Sequence, residues 1–196
     1  MITIYSIKPY FQRLLQPVLV FLVRIRITPN QVTLLACLLS MGFGIYFAWA
    51  GKASWWLMPI VLLVRMALNA IDGMLARQFQ MQSRLGTYLN ELGDMVSDLF
   101  LCVPFAFEFP GSIGSVCFLS LFSEIAGILA TAIGEKRRYD GPMGKSDRAF
   151  CFGILGFLMA FGWISNSWVM MLLESIAFLL CLTIFFRIKN ALVGKK

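Results

Sequence analysis

The sequence predicts an all-α integral membrane protein, with six transmembrane helices preceded by a short amphipathic helix lying in the membrane interface. Three observations lead there. Of the 196 residues, 59% are hydrophobic, and the mean hydropathy is +0.79, more apolar surface than a soluble domain carries. Several apolar runs approach or exceed the ~20 residues a helix needs to cross a bilayer. The charges sit mostly in short stretches between those runs, and the basic ones fall almost entirely on one side. No repeat, low-complexity tract or long linker divides the chain, so residues 1–196 read as one domain: 1–28 the interfacial helix, 29–196 the bundle.

In the first segment Phe11, Leu14, Leu15, Val18, Leu19 and Leu22 recur at helical spacing, flanked by Lys8, Arg13, Arg24 and Arg26. The run from Leu14 to Val23 is short, is broken by Pro17 and lacks a small-residue cleavage site, so it is not a secretory signal. It suits a helix lying in the interface; a short tilted seventh span is the competing reading. Spans follow near residues 30–50, 54–77, 85–109, 112–134, 149–164 and 168–188. Thr28 can cap the first, and Pro29 suits its first turn because no backbone donor is lost there. Trp55 and Trp56 mark the outer end of the second, where interfacial aromatics gather. Arg65, Glu108, Glu124 and Glu174 fall inside spans, where a charge is costly unless paired or hydrated. Glu124 is the expected partner of Arg65; Glu174 has none in view.

The net charge is +7, from 17 Lys and Arg against 10 Asp and Glu. On these spans every Lys and Arg except Arg65, inside a helix, and Lys52, on the opposite side, lies on one face of the membrane. Such asymmetry places both termini in the cytoplasm. The basic excess is therefore a topology signal with attraction to anionic lipid, not a nucleic-acid footprint. The chain has no His, which excludes His triads, His general bases and His metal ligands. A metal here would bind hard oxygen ligands, favouring Mg²⁺ or Mn²⁺. The five cysteines (Cys37, Cys102, Cys117, Cys151 and Cys181) have no paired spacing and read as small hydrophobes in packed helices.

The chemistry concentrates in residues 69–98. Asn69, Asp72, Gly73, Ala76 and Arg77 are spaced to share one helix face, and Gly86, Asn90, Asp94 and Asp98 recur every fourth residue on the next helix. A connection of about eight residues makes the two helices antiparallel neighbours whose faces meet at the cytoplasmic side. Asp72, Asp94 and Asp98 together repel unless a cation or a shared proton offsets them. Gly73, Ala76 and Gly86 remove bulk on the same faces. That leaves room for a nucleotide or phosphate, or lets the helices pack closely.

The run Asn-Ala-Ile-Asp-Gly-Met-Leu-Ala-Arg, eight further residues, then Gly-Thr-Tyr-Leu-Asn-Glu-Leu-Gly-Asp resembles the signature of the CDP-alcohol phosphatidyltransferases. Asp72, Gly73, Ala76, Arg77, Gly86 and Asp94 match its fixed positions, while its first and third aspartates are Asn69 and Asn90. Thr28-Pro29-Asn30-x-x-Thr33 is also similar to the start of that family's first transmembrane helix. The resemblance implies transfer of a phosphatidyl group from CDP-diacylglycerol to an alcohol with release of CMP, in phospholipid biosynthesis. It implies a homodimer in a bacterial inner or plasma membrane with its active site cytoplasmic. It makes Asp94 the general base and puts Gly73, Ala76, Arg77 and Gly86 at the nucleotide. It assigns a divalent metal to Asn69, Asp72, Asn90 and Asp94, with Asp98 as an added carboxylate. It assigns an anionic acceptor to Lys145 and Arg148, with Arg138 and Arg137 as weaker candidates; the competing reading of these charges is plain topology signals.

Amide oxygens still ligate a hard cation, but each asparagine removes one negative charge. Three arrangements fit: one metal, two weakly held metals with Asp98 assisting, or loss of catalysis. The last would leave a lipid- or nucleotide-binding homologue. A small transporter using Arg65, Asp72 and Asp94 as an ion path is the more distant alternative; the Gly-x-x-Ala-Arg context argues against it.

Overall fold

The computed structural model describes residues 8–194, and every regular element among them is helical. Seven α-helices follow in order: α1 (Lys8–Arg24), α2 (Pro29–Ala50), α3 (Met58–Gln78), α4 (Arg84–Ala106), α5 (Pro110–Ala132), α6 (Lys145–Ala160) and α7 (Asn166–Val193), with a 3₁₀ segment, Lys52–Leu57, leading into α3. Residues 1–7 of the expected interfacial segment, and the basic Lys195 and Lys196, lie outside the described residues.

Local chemistry sets the helix ends. Thr28 caps α2 in a reciprocal box: its hydroxyl accepts from the Gln31 amide, and the Gln31 side chain accepts from the Thr28 amide at 2.9 Å. Ser83 caps α4 by accepting from the Gly86 N–H at 2.9 Å. At α6 the Asp147 carboxylate accepts the Gly144 N–H at 3.0 Å, fixing where that helix starts. Pro29 and Pro110 stand in first turns, where the missing N–H costs nothing.

The elements from α2 to α7 fall within a few residues of the expected spans. Four are long and apolar enough to cross a membrane: Pro29–Ala50, Lys52–Gln78, Pro110–Ala132 and Asn166–Val193. This is a multi-pass membrane protein. α4 and α6 do not meet that standard. Charged Glu91, Asp94 and Asp98 interrupt α4, and the 16 residues of α6 rise only ~24 Å against a ~30 Å hydrocarbon core.

Two apolar clusters hold the bundle. The larger joins Phe47, Trp55, Met58, Leu62, Phe105, Phe152, Met159 and Leu173, from five helices and the 3₁₀ segment. Trp55 belongs to it, correcting its expected interfacial position: it is 2% exposed, lies 4.8 Å from the Phe105 ring and donates its Nε1–H to the Phe47 carbonyl at 3.0 Å. The 3₁₀ segment folds back over the bundle and takes Trp55 inside, while Trp56 stays exposed. The smaller cluster seats α1, burying Leu19 against Val32, Ile71, Met74 and Leu75, with Leu15 and Leu22 beside it. Leu14 and Val18 of the same helix stay exposed. The other half of the bundle buries a layer of charge, with Arg65, Asp72, Asp94, Glu124, Arg148 and Arg187 each under 9% exposed.

Candidate functional site

On α3, one helical face carries Asn69, Asp72, Gly73, Ala76 and Arg77 into an open cavity of about 1100 Å³. Gly86 and Asn90 of α4, Asn30 and Thr33 of α2, Glu124 of α5, and Arg137, Arg138, Asp140, Lys145, Asp147 and Arg187 from the 133–144 connection, α6 and α7 join them in its wall. Of the α4 stripe, Gly86 and Asn90 reach the cavity opposite the α3 face, while Asp94 and Asp98 stand behind it.

The carboxylates are held tightly. Asp72 accepts the Thr33 hydroxyl at 2.7 Å. Asp94 accepts the Asn69 side-chain N–H at 2.6 Å on one oxygen and the Lys145 ammonium on the other. Asp94 is 7% exposed and reaches the cavity through Asn69 and Lys145, both of which line it. Small residues matter here: a Cβ at Gly86 would sit 2.7 Å from Asn30 Oδ1, and one at Gly73 would sit 3.0 Å from Arg77 Nη2. The Arg77 guanidinium thus lies across the bare face of Gly73.

Behind the cavity runs a network of buried charge. Arg65 pairs with Asp98 at 2.6 Å and stands 3.6 Å from Asp94. Arg148 bridges Asp98 at 2.5 Å and Glu124 at 3.2 Å. Glu124 also takes Arg137 at 2.9 Å and Arg187 at 3.5 Å, and Arg137 reaches Glu91.

This geometry corrects three expectations. Arg65 does not pair with Glu124; it pairs with Asp98, and Glu124 serves three other guanidinium groups. Asp98, expected as an auxiliary metal ligand, has each oxygen on an arginine, which already supply the positive charge it needs. Arg148, expected at the acceptor, is 3% exposed and neutralised by Asp98 and Glu124, so it does not face the cavity. Glu108, for which the sequence offered no partner, pairs with Lys52 at 2.8 Å at the opposite end of the bundle.

Some residues of the site went unassigned in the sequence. Thr33 belongs to the Thr-Pro-Asn-x-x-Thr motif, whose spacing marked it without giving it a role. Asn30 comes from the same motif. Arg187 read as one topology charge among many, yet it is 2% exposed and donates to the Asp140 carbonyl at 3.3 Å and to the Ser123 carbonyl.

For a metal, the donors present are hard oxygens: the carboxylates of Asp72 and Asp94 and the amide oxygens of Asn69 and Asn90. They fit Mg²⁺ or Mn²⁺ chemistry. Among the described residues, no group of three or more Asp, Glu, Cys or His side chains is placed to hold an ion. The site therefore offers two carboxylates and not four.

A sequence profile of the CDP-alcohol phosphatidyltransferases matches residues 26–186. The chain belongs to this family. It is accordingly a phosphatidyltransferase by class, with a CDP-alcohol as donor. It is 47% identical over 163 residues to the inner membrane protein YnbA of Escherichia coli, covering 81% of each chain. It is 31% identical over 122 residues to a phosphatidylinositol phosphate synthase of Streptomyces avermitilis, covering 61% of this chain and 49% of that one. Among solved structures, the Mycobacterium tuberculosis phosphatidylinositol phosphate synthase PgsA1, with CDP-DAG bound, superposes with a TM-score of 0.69 over 91% of this chain and 94% of that one, at 19% identity. That last likeness establishes a shared fold.

Proposed function

We propose that this phosphatidyltransferase moves the phosphatidyl group of CDP-diacylglycerol onto an alcohol and releases CMP, at a cavity opening to the cytoplasm. The observation that carries the reading is the convergence of Asp72, Gly73, Ala76, Arg77 and Gly86 on one 1100 Å³ cavity, with Asp94 joined to it through Asn69 and Lys145. Its relative's printed title, a synthase with CDP-DAG bound, supports the donor.

Asp72 and Asp94 are the charged groups that would hold a divalent ion, with the amide oxygens of Asn69 and Asn90 as neutral ligands and Asp72 kept in place by Thr33. Such an ion, when bound, offsets charge on the pyrophosphate and on the departing CMP. Gly73 and Gly86, lacking a Cβ, leave room for the Arg77 and Asn30 side chains that stand where the nucleotide approaches. Asp94 is proposed to take the proton of the acceptor hydroxyl as its oxygen attacks the lipid-side phosphorus and the bond to CMP breaks. The acceptor enters beside Arg137 and Arg138. Their buried Nε donors have no partner among the described residues, and this favours an anionic acceptor.

The proposal includes six spans, with α4 and α6 crossing under cover of the other helices so that their charge faces the interior and not lipid. Both termini are then cytoplasmic, the membrane is the bacterial inner membrane, consistent with the printed name of the Escherichia coli relative, and the protein is a homodimer. Purified protein with CDP-diacylglycerol, Mg²⁺ or Mn²⁺, and candidate alcohols tests the reading. Release of CMP with formation of a new phospholipid is expected. Binding of the CDP-lipid without CMP release would instead make the chain a lipid- or nucleotide-binding homologue.

A further inference from the structure

We infer that the Lys145 ammonium stands in for one of two divalent cations at this site, so that the protein works with a single metal ion. The inference rests on the metal-binding part of the reading above and assigns Lys145 a task other than holding the acceptor.

Two of the four acidic positions in the 69–94 motif are Asn69 and Asn90. Of the motif's acidic positions only Asp72, on the cavity wall, and Asp94, behind Asn69 and Lys145, keep a carboxylate. Asp98 is taken up by Arg65 and Arg148, and Glu91 by Arg137. Of the other acids on the wall, Glu124 is taken up by three guanidinium groups and Asp147 by the Gly144 amide, while Asp140 stands on the loop before α6. Two divalent ions would bring four positive charges to two carboxylates. Repulsion between ions in a partly buried site is far less screened than in water, and the amide oxygens do nothing to offset it. Counted alike, before any pyrophosphate enters, one divalent ion beside the Lys145 ammonium brings three positive charges to the two carboxylates, and two ions beside it bring five.

Geometry identifies the ammonium. Lys145 is the first residue of α6, far from the 69–94 motif in sequence, and its Nζ bonds directly to Asp94 Oδ2. It also lines the cavity, so the same ammonium faces both the final motif carboxylate and the space a pyrophosphate would fill. Its backbone position is not accidental, because Asp147 holds the start of α6 through the Gly144 amide. The remaining Asp94 oxygen takes Asn69 Nδ2 at 2.6 Å, so that asparagine donates a hydrogen bond where an aspartate could only repel. The asparagine and the lysine therefore work as a matched set. Each oxygen of Asp94 has one partner from the protein and keeps a second lone pair for an ion, while Asp72 has one oxygen held by Thr33.

Manganese binding tests this without reference to turnover. Mn²⁺ titrated into purified protein and followed by electron paramagnetic resonance should saturate at one ion per chain. Lys145→Met removes the competing cation and should tighten Mn²⁺ binding at least about tenfold, whereas Lys145→Arg, which keeps the charge, should behave as the parent. Asn69→Asp combined with Asn90→Asp should also tighten Mn²⁺ binding, because two charges are restored. Two ions per parent chain, or none, overturns the inference. So does a folded Lys145→Met protein, checked by thermal unfolding, whose Mn²⁺ affinity is unchanged or weaker. If Lys145→Met does not fold, the parent stoichiometry decides alone. Failure of CMP release with one Mn²⁺ per chain would sink the transferase reading and leave the lysine inference standing.

Discussion

Where Phe47, Trp55, Phe105 and Phe152 meet, the bundle is held by shape; where Arg65, Asp98, Glu124 and Arg148 meet, it is held by charge. The aromatic half packs rings at 4.8 Å and 5.2 Å from Phe105 and contains one polar tie, the Trp55 indole on the Phe47 carbonyl. In a membrane such a cluster gains little from leaving lipid for protein, because lipid tails are as apolar as the core, so fit is what it contributes. The charged half cannot tolerate an unmatched group. An ion left alone in a low-dielectric interior costs several kcal/mol, which is why Asp98 and Glu124 each serve more than one guanidinium. The difference separates tasks. The aromatic half keeps the helices in register, and the charged half fixes Asp94 behind the cavity, 3.6 Å from Arg65 and bonded to Lys145.

The largest expected effect follows from that separation. Asp72→Ala and Asp94→Ala should each abolish CMP release while the protein still folds, since the aromatic cluster is untouched, although Asp94→Ala, which strips Lys145 of its carboxylate, should lower the unfolding temperature. For Asp94, direct action as a base sets a loss of ~10²–10⁴-fold. Phe105→Ala should do the reverse, lowering the unfolding temperature while each folded molecule retains its activity. Substantial turnover in Asp94→Ala would break the assignment of the base.

Hydropathy made the helices legible because lipid demands long apolar runs regardless of partner, and Thr28, Pro29 and Asn30 marked a start that the structure reproduces. The site was legible to the extent that it is periodic. Asn69, Asp72, Gly73, Ala76 and Arg77 share a face by spacing alone, and all five reach the cavity. What depended on the register between distant helices was not legible. Arg65 could be read as needing an acid, but choosing Asp98 over Glu124 requires knowing how α3 stands against α4 and α5. Arg187 looked like any other cytoplasmic charge, since nothing near it in sequence indicates that the Ser123 and Asp140 carbonyls will accept its N–H groups. Trp55 was misplaced for a related reason: Gly51, at φ +74°, turns the chain inward, and an end-of-span tryptophan became a core residue.

A second, smaller effect ranks the two kinds of cohesion. Glu124→Gln leaves Arg148, Arg187 and Arg137 sharing one fewer carboxylate, and breaking a buried pair in this way costs about 3–5 kcal/mol. Phe105→Ala in lipid loses packing and not transfer free energy. At about 24 cal/mol per Å³, a void of roughly 100 Å³ costs about 2 kcal/mol. Glu124→Gln should therefore lower the unfolding temperature in detergent more than Phe105→Ala. The opposite order would show that the charged layer is stabilised by water entering from the cavity and not by its own pairs.

The smallest effect isolates burial from ion pairing itself. Lys52 and Glu108 form a 2.8 Å pair at the far end of the bundle, with a shorter separation than Arg148 and Glu124 at 3.2 Å. By distance alone it should be the stronger. Its side chains are 39% and 33% exposed, against 4% and 6% for the inner pair. Water and salt screen the outer pair, and ordering two long side chains costs entropy, so exposed pairs contribute ~0–1 kcal/mol. Lys52→Ala should thus shift the unfolding temperature barely, and raising salt should erase what shift there is. Glu124→Gln should keep its large effect in the same salt, because pairs this deeply buried are screened much less than exposed ones. Equal salt sensitivity in the two variants would mean that the inner network is as wet as the outer pair, and the division of the bundle into a shape-held half and a charge-held half would fail at its charged end.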